Sequence, residues 1–382
     1  MIIKNTKVFT EGCEFVTKDV FIEDGLFENS LSDTDSQQVI DGDGLYAIPG
    51  LIDLHLHGAM GYDFCDGTNE ATEIIAKFEA SQGVTAFTPA TLTLDEEKLY
   101  NICKESSTYK NAQGAEFLGI HLEGPFLSPG KKGAHAEKFL IKPDVKVFNR
   151  LNEASGEKIK IVTIAPDLEG AMEFISELKD KTILSLGHSA ANYATAVKAF
   201  EKGACHITHL YNAMAPMLHR DPGIIGAAAD TENCYVELIT DGIHCHPNIV
   251  RSTFKLFGDD HIILISDSME ATGMTDGTYT LGGLEVTVVG NLATLKDGTI
   301  AGSATSLMNC LRKAVSFGIP LESAVKCATM NPAKELGVFD TMGSIASGKK
   351  ANLVLMDKDL NICAVYINGL KYYAKQTSLS QK

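Results

Sequence analysis

The stretch Pro49–Gly58, "PGLIDLHLHG", places two imidazoles, His55 and His57, two residues apart in an apolar, strand-like run that ends at a glycine. Successive strand side chains point to opposite faces, so Asp53, His55 and His57 would project together from one face. A carboxylate and two imidazoles are an odd filling for a hydrophobic core. They are either an incidental group on an exposed edge strand or part of a polar site at a strand end, and the rest of the chain decides which.

Outward from this stretch, short apolar runs alternate with helical ones. After 51–57 come TAFTPAT (85–91), EFLGIHLEG (116–124), KIVTIAPD (160–167) and TILSLGHS (182–189). HITHLYN (206–212), YVELITDGIH (235–244) and HIILISDS (261–268) complete the series. Amphipathic stretches such as "NEATEIIAKFEASQG" and "NYATAVKAFEKG" lie between them. Repeated strand–helix alternation predicts a parallel sheet, and eight such units in about 250 residues match a (β/α)8 TIM barrel, an α/β fold. A doubly wound open sheet is the competing arrangement, but no G-x-G-x-x-G opens a helix after the first strand.

Several of these runs begin apolar and end in a titratable or metal-competent residue: His57, Glu123, His188, His209, His244 and Asp267. Barrel active sites gather at the C-terminal strand ends, so these side chains would meet at one mouth. Singly, each reads equally well as a loop cap or a satisfied buried histidine. Together they read as a site. The two flanks, 1–50 and 340–382, are β-rich and are expected to pair into one small discontinuous β-sandwich domain beside a barrel domain of 51–339. A polar tail, "AKQTSLSQK", is expected to fray.

The chain has 382 residues, 45% of them hydrophobic, with mean hydropathy near zero, which suits one large domain or one large and one small. A net charge of −16 argues against nucleic-acid or membrane-surface partners. An anionic substrate would need locally placed cations against that field. No apolar run is long enough to span a bilayer, and the start lacks the apolar centre of a signal sequence. The nine cysteines form no C-x-x-C pair and read as reduced thiols. A cytoplasmic enzyme is expected.

With the closing pattern G-x-I-x-x-G-x-x-A-N-L-V at 343–354, the opening stretch makes the chain resemble the amidohydrolase superfamily. Within it, "HLEGPFLSPGKKGAH", "GHS", "THLYNAMAPMLHR", "DGIHC" and "SDSMEATG", in this order, are similar to the N-acetylglucosamine-6-phosphate deacetylase family. That resemblance implies hydrolysis of the acetamide of N-acetyl-D-glucosamine 6-phosphate to D-glucosamine 6-phosphate and acetate, a step of amino-sugar catabolism. It implies Glu123, His188 and His209 as ligands of a catalytic divalent metal and Asp267 as general acid/base. It assigns substrate contacts to Ala134, His135, Asn212, Ala213 and Arg220, to Asp241, Gly242, Ile243 and His244, and to Ile300, Ala301 and Gly302. It further implies a homodimer in which Arg220 reaches the neighbouring active site.

The chemistry of these residues agrees with such roles. One carboxylate and two imidazoles with open positions can activate water, and a carboxylate at Asp267 can take a proton from it and return it to a leaving amine. Many superfamily members bridge two metals through a carbamylated lysine on the fourth strand. Here that strand ends in "TIAPD" without a lysine, so Glu123 is the candidate bridge, and His55 and His57 with it supply three ligands for a second ion. Such ligands suit zinc, iron, cobalt or manganese, one or two per chain. His121 and His206 read as supporting or packing histidines, and Lys131 and Lys132 as solvated. His135 either holds a sugar hydroxyl or polarises the amide carbonyl. Arg220 can grip phosphate in a bidentate fork. The alternatives are an amidohydrolase acting on a cyclic amide or an amine, and a non-catalytic sensor of amino-sugar phosphates. The first has no need of the "KKGAH" and "LHRDPG" elements, the second none of a proton shuttle.

Overall fold

Every residue of the strand Leu51–Leu56 is buried, as in parallel strands covered on both faces. In the computed structural model, which describes residues 1–31 and 38–374, this strand begins a (β/α)8 barrel. It continues through Val84–Pro89, Ile120–Glu123, Ile159–Ile164, Ile183–Leu186, His206–Ile207, Tyr235–Ile239 and Ile262–Ile265, all paired in parallel. An isolated parallel bridge, Ala90 to His121, joins the second strand to the third. The Asp267 N–H donates to the His55 carbonyl at 2.9 Å and joins the eighth to the first. The expected tail lies, from residue 375 on, outside the described residues.

The outer helices start where side chains can cap them. Thr68 accepts from the Ala71 N–H, Asp95 from Lys98, Asn192 from Thr195 and Ser306 from Asn309, each satisfying an orphan donor of the first turn.

Three details depart from the sequence reading. The sixth strand ends at Ile207 and the seventh at Ile239, so residues 208–212 and 240–244, expected as strand, are loop. In the first of these segments the reason is conformational: His209 and Tyr211 have φ of 27° and 77°, a left-handed turn that interrupts regular strand pairing. Second, the register between the first two strands slips between Asp53 and Leu56. That breaks the two-residue period which was to align Asp53 with His55 and His57. Third, a three-stranded antiparallel sheet, Gly277–Leu281, Leu284–Val289 and Leu292–Thr294, is inserted after the eighth barrel strand.

A separate sheet takes strands from both flanks. Ile2–Phe9, Phe15–Glu23, Leu26–Glu28, Val39–Asp41 and Tyr46–Pro49 join Leu353–Met356, Ile362–Ile367 and Leu370–Ala374 in one eight-stranded sheet. Its far edge returns to the segment before Leu353: Phe27 N–H donates to Lys349 O, Gly348 N–H to Phe27 O, and Ala351 N–H to Gly25 O. The sheet thereby curls around a second core that contains Ile3, Val20, Phe27, Leu355 and Tyr366.

Behind the barrel wall, Glu79 on the helix Asn69–Ser81 is fully buried, and neither carboxylate oxygen has a hydrogen-bond partner among the described residues. Burial, then the neighbouring Asp53, push its pKa well above the carboxylate range. Burial likewise raises Asp53 to about 7, against bonds from Ser266 and the His55 amide. A carboxyl whose pKa is raised on folding stabilises the fold below its unfolded pKa, and that contribution is lost as the pH rises towards the folded value. Glu79→Gln removes the titration while keeping the shape. The variant's stability relative to wild type should therefore grow from pH 4.5 through 7, with a slope approaching about 1.4 kcal/mol per pH unit. Parallel denaturation curves at every pH would show that Glu79 is ionised inside the fold.

Candidate metal centre

The barrel brings its polar residues to one end by a repeated device. Glu123 is the last residue of the third strand, His57 follows the first by one residue, and His188, His209 and Asp267 follow the fifth, sixth and eighth by two. His188, His209 and Asp267 all have positive φ, 47°, 27° and 50°, conformations that cost non-glycine residues on the order of 1–3 kcal/mol each. The surroundings hold them there. The Glu237 carboxylate accepts the His209 N–H at 2.9 Å, and the Asp267 carbonyl accepts the Ser303 N–H at 2.7 Å. Gly302, at φ 61°, lets the chain pass: a Cβ there would lie 3.1 Å from the Asp267 carbonyl oxygen.

The result is one buried carboxylate shared by several imidazoles. Glu123 Oε1 lies 3.1 Å from His188 Nε2 and 3.0 Å from His209 Nε2. Its Oε2 lies 3.3 Å from both His55 Nε2 and His57 Nε2, and 3.6 Å from His135 Nε2. Asp267 Oδ1 faces the same group, 3.3 Å from His57 Nε2 and 3.6 Å from His55 Nε2.

The far ring nitrogens fix the tautomers. His188 Nδ1–H donates to the Lys131 carbonyl at 2.9 Å and His57 Nδ1–H to the Ala90 carbonyl at 3.3 Å. His55 Nδ1–H donates to Glu237 Oε2 at 2.9 Å. In each ring Nε2 is thus the nitrogen that faces Glu123. His55 Nε2 has no hydrogen-bond partner among the described residues although it is fully buried, and the Nε2 atoms of His188 and His209 stand 3.0 Å apart. Ring nitrogens crowded at such spacing are what a cation relieves, since two nitrogens on one tetrahedral zinc at ~2.05 Å lie about 3.3 Å apart. The donor set therefore fits divalent metal. Two ligand groups meet at Glu123, His55–His57–Glu123 and Glu123–His188–His209. A third cluster, His55–His121–Glu237, is hydrogen-bonded instead: both His121 nitrogens are taken, by the Leu54 carbonyl and Thr163 Oγ1.

Electrostatics follow from burial and this crowding. Burial opposes ionisation of Glu123, yet the charge of His55 and the bonds from His135, His188 and His209 hold its pKa well below the usual range. Asp267 is lowered in the same way, burial being outweighed by the bond from His57 and by the nearby imidazoles. Burial takes His188 down to about 4, keeping it a neutral ligand. His57 is raised to about 10 because its bonds to Asp267 and Glu123 outweigh burial, so without metal a proton stands where a cation would.

An open cleft of about 260 Å³ rises from this floor, room for a small ligand only. Ala134, His135, Asn212, Ala213, His244, Ile300 and Gly302 line it, with Leu92, Leu281 and Thr299. Ala301 is buried beneath. Asp241 shapes the neighbouring turn, accepting the Ile243 and His244 N–H groups at 2.9 Å and His244 Nδ1–H at 2.8 Å. Gly242 sits behind, against Phe317. Arg220 is outside the cleft, in a surface depression beside Asn192 and Tyr193. Asp53 is also absent from the group. It accepts the N–H of His55 and of Ser266, because the register slip in its strand removes it from the histidine face. Sequence reasoning missed Thr93, whose N–H donates to His135 Nδ1, and Glu237. The signal for Glu237 was present: a lone acid in the middle of the apolar run "YVELI".

Comparison with known proteins agrees with this geometry. A deacetylase of N-acetylglucosamine 6-phosphate from Bacillus subtilis is 39% identical over 84% of this chain and 83% of its own length. A deacetylase of N-acetylgalactosamine 6-phosphate from Escherichia coli O157:H7 is 34% identical over 87% of this chain and 89% of its own. The structure of a mutant N-acetyl-D-glucosamine-6-phosphate deacetylase from Mycobacterium smegmatis, in complex with N-acetyl-D-glucosamine 6-phosphate, superposes with a TM-score of 0.91. It is 32% identical and covers 97% of this chain and 99% of that one. Residues 46–374, which carry the barrel and all the polar side chains at its mouth, match the amidohydrolase family model, and the chain belongs to that family.

Proposed function

We propose that this chain is a metal-dependent deacetylase that hydrolyses N-acetyl-D-glucosamine 6-phosphate to D-glucosamine 6-phosphate and acetate. The observation that carries the reading is Glu123, one buried carboxylate facing two histidine pairs, with Asp267 beside it at the floor of an open cleft. The similar deacetylases of sugar 6-phosphates support the substrate class.

Glu123, His188 and His209 would hold one divalent cation, and His55 and His57 with Glu123 would hold another. Such a cation, zinc, iron, cobalt or manganese, supplies Lewis acidity to the water and to the amide oxygen. His135 accepts the Thr93 N–H at Nδ1, 3.1 Å away, so its proton is on Nε2, which faces the cleft floor. There it donates to the amide oxygen as negative charge develops, which favours carbonyl polarisation over a grip on a sugar hydroxyl. Asp267, ionised, takes a proton as water adds to the amide carbon. It returns that proton to the nitrogen as the C–N bond breaks, so the hydroxyl stays with acetate and the hydrogen with the amine.

The enzyme works in the cytoplasm as a homodimer, with Arg220 of each protomer gripping the phosphate in the other's cleft. In support, Arg220 is exposed outside the cleft of its own protomer, next to Met217 and Leu218, 48% and 54% exposed. Residues 51–339 form the catalytic domain, and 1–50 with 340–382 the small one. Because an N-acetylgalactosamine relative is as similar as several N-acetylglucosamine ones, the assay compares the two 6-phosphates, which differ only at C4. Acetate release from neither would overturn the reading.

Asp267→Asn should keep fold and metal but lose ~10²–10⁴-fold in kcat. Turnover within a few-fold of wild type would remove Asp267 from proton transfer.

Arg220→Ala should raise KM for the 6-phosphate at least roughly 30-fold, the loss that ~2 kcal/mol implies, and leave the unphosphorylated sugar unaffected. Mixing its subunits with Asp267→Asn subunits should restore part of the activity. Equal losses on both sugars would make the arginine structural.

The double variant His55→Gln with His57→Asn should fall from about two bound ions per chain towards one, with activity reduced but measurable. Elemental analysis of metal-saturated wild type decides the count, and a wild type that never exceeds one ion has no second site.

A further inference from the structure

Glu237 is the central residue of the seventh strand, Tyr235–Ile239, and its side chain is fully buried inside the barrel. A carboxylate there is tolerated only if every lone pair is met by a donor or a charge. Oε2 accepts His55 Nδ1–H and the His209 N–H, each at 2.9 Å. Oε1 faces His206 Nε2 at 3.2 Å and His121 Nδ1 at 3.8 Å. Its own carbonyl accepts the Leu210 N–H at 2.8 Å. Main chain and side chain of this one residue thus clamp 209–210, just where the sixth strand stops after two residues and His209 enters the left-handed region.

Oε1 has a counter-charge. His206 is held between Glu237 and Glu335, whose Oε1 lies 2.9 Å from His206 Nδ1. Those two bonds outweigh burial and raise its pKa to about 9, so it stays protonated. His206 and His55 thus meet the two oxygens of Glu237 from opposite sides, Nε2 of the one at Oε1 and Nδ1–H of the other at Oε2.

The geometry points to Glu237 as a positioning residue that sets the Nδ1–H tautomer of His55 and fixes the backbone of His209, making the metal affinity of the His55–His57 side depend on its charge. It touches neither substrate nor the reacting atoms. The inference rests on the reading above that His55 is a metal ligand. Partners of this kind orient a ligating imidazole and raise its basicity, and losing one typically costs 10–100-fold in metal affinity. A glutamine fits the same space, with its oxygen towards His55 and His209; its amide then donates to His206 Nε2, which gives up its proton and keeps Nδ1–H on Glu335. Glu237→Gln therefore removes charge and leaves the contacts. The ion bound by His55 should suffer, and the ion bound by Glu123, His188 and His209 should not, because His209 is held through its backbone.

The test is a zinc titration of metal-stripped wild type and Glu237→Gln against a chromophoric chelator, with the His55→Gln/His57→Asn protein assigning the two ions. Wild type should bind two. The variant should bind the His55-side ion 10–100-fold more weakly and the other within two-fold, with an unchanged circular dichroism spectrum. Two ions bound as tightly as in wild type, or both weakened alike, would overturn the role. A wild type saturating at one ion would instead overturn the ligand assignment of His55. Should the variant not fold, ¹⁵N-histidine spectra of zinc-loaded wild type decide: the His55 proton should be on Nδ1, and a proton on Nε2 refutes the inference.

Discussion

A single buried carboxylate constrains this molecule more than any other group. Glu123 ends its strand inside a closed barrel, 1% exposed, and remains ionised because imidazoles surround both of its oxygens. Removing water from a charge costs several kcal/mol unless partners replace it. Each of those imidazoles must then arrive at an angle that presents a lone pair or a proton, which demands exact backbone turns after three strands. The positive φ values at His188, His209 and Asp267 are the visible trace of that demand.

The barrel makes the strain tolerable by dividing labour between its ends. Along the strands, apolar residues fill the space between sheet and helices. At the mouth, regular pairing gives way to single hydrogen bonds: the His209 N–H to Glu237, the Asp267 N–H to the His55 carbonyl, the Ser303 N–H to the Asp267 carbonyl. Stability is thus built where function is absent, and the geometry of the site is set by a few polar contacts.

The same layering explains how an acidic chain can serve an anionic substrate. The net charge is −16, while above the carboxylates Glu123 and Asp267 on its floor the cleft is lined by imidazoles, an amide and small or apolar residues. In the proposed dimer, Arg220 places its cation where the partner's cleft lacks one. The inserted sheet after the eighth strand adds Leu281 to the cleft wall, and the loop behind it adds Thr299 and Ile300.

The sequence by itself determined the strand–helix alternation, hence the barrel, and the polar residue at each strand end, hence the composition of the site. Both are local properties: hydrophobic periodicity, and where it breaks. It also determined the resemblance that names the chemistry. Tertiary structure alone decided the rest. Asp53 shares the period of His55 and His57 in the sequence, yet a slipped register, which depends on the neighbouring strand, removes it from the group. The expected strand 206–212 stops at Ile207 because Glu237, remote in sequence, pulls the backbone of His209 out of the sheet. Arg220 reads as a phosphate ligand from its motif, but one protomer leaves it outside its own cleft. Tautomers, too, were undecidable from the sequence: which nitrogen of His55 or His135 carries a proton is fixed by Glu237 and by the Thr93 amide, partners brought within 3.1 Å only when the barrel closes.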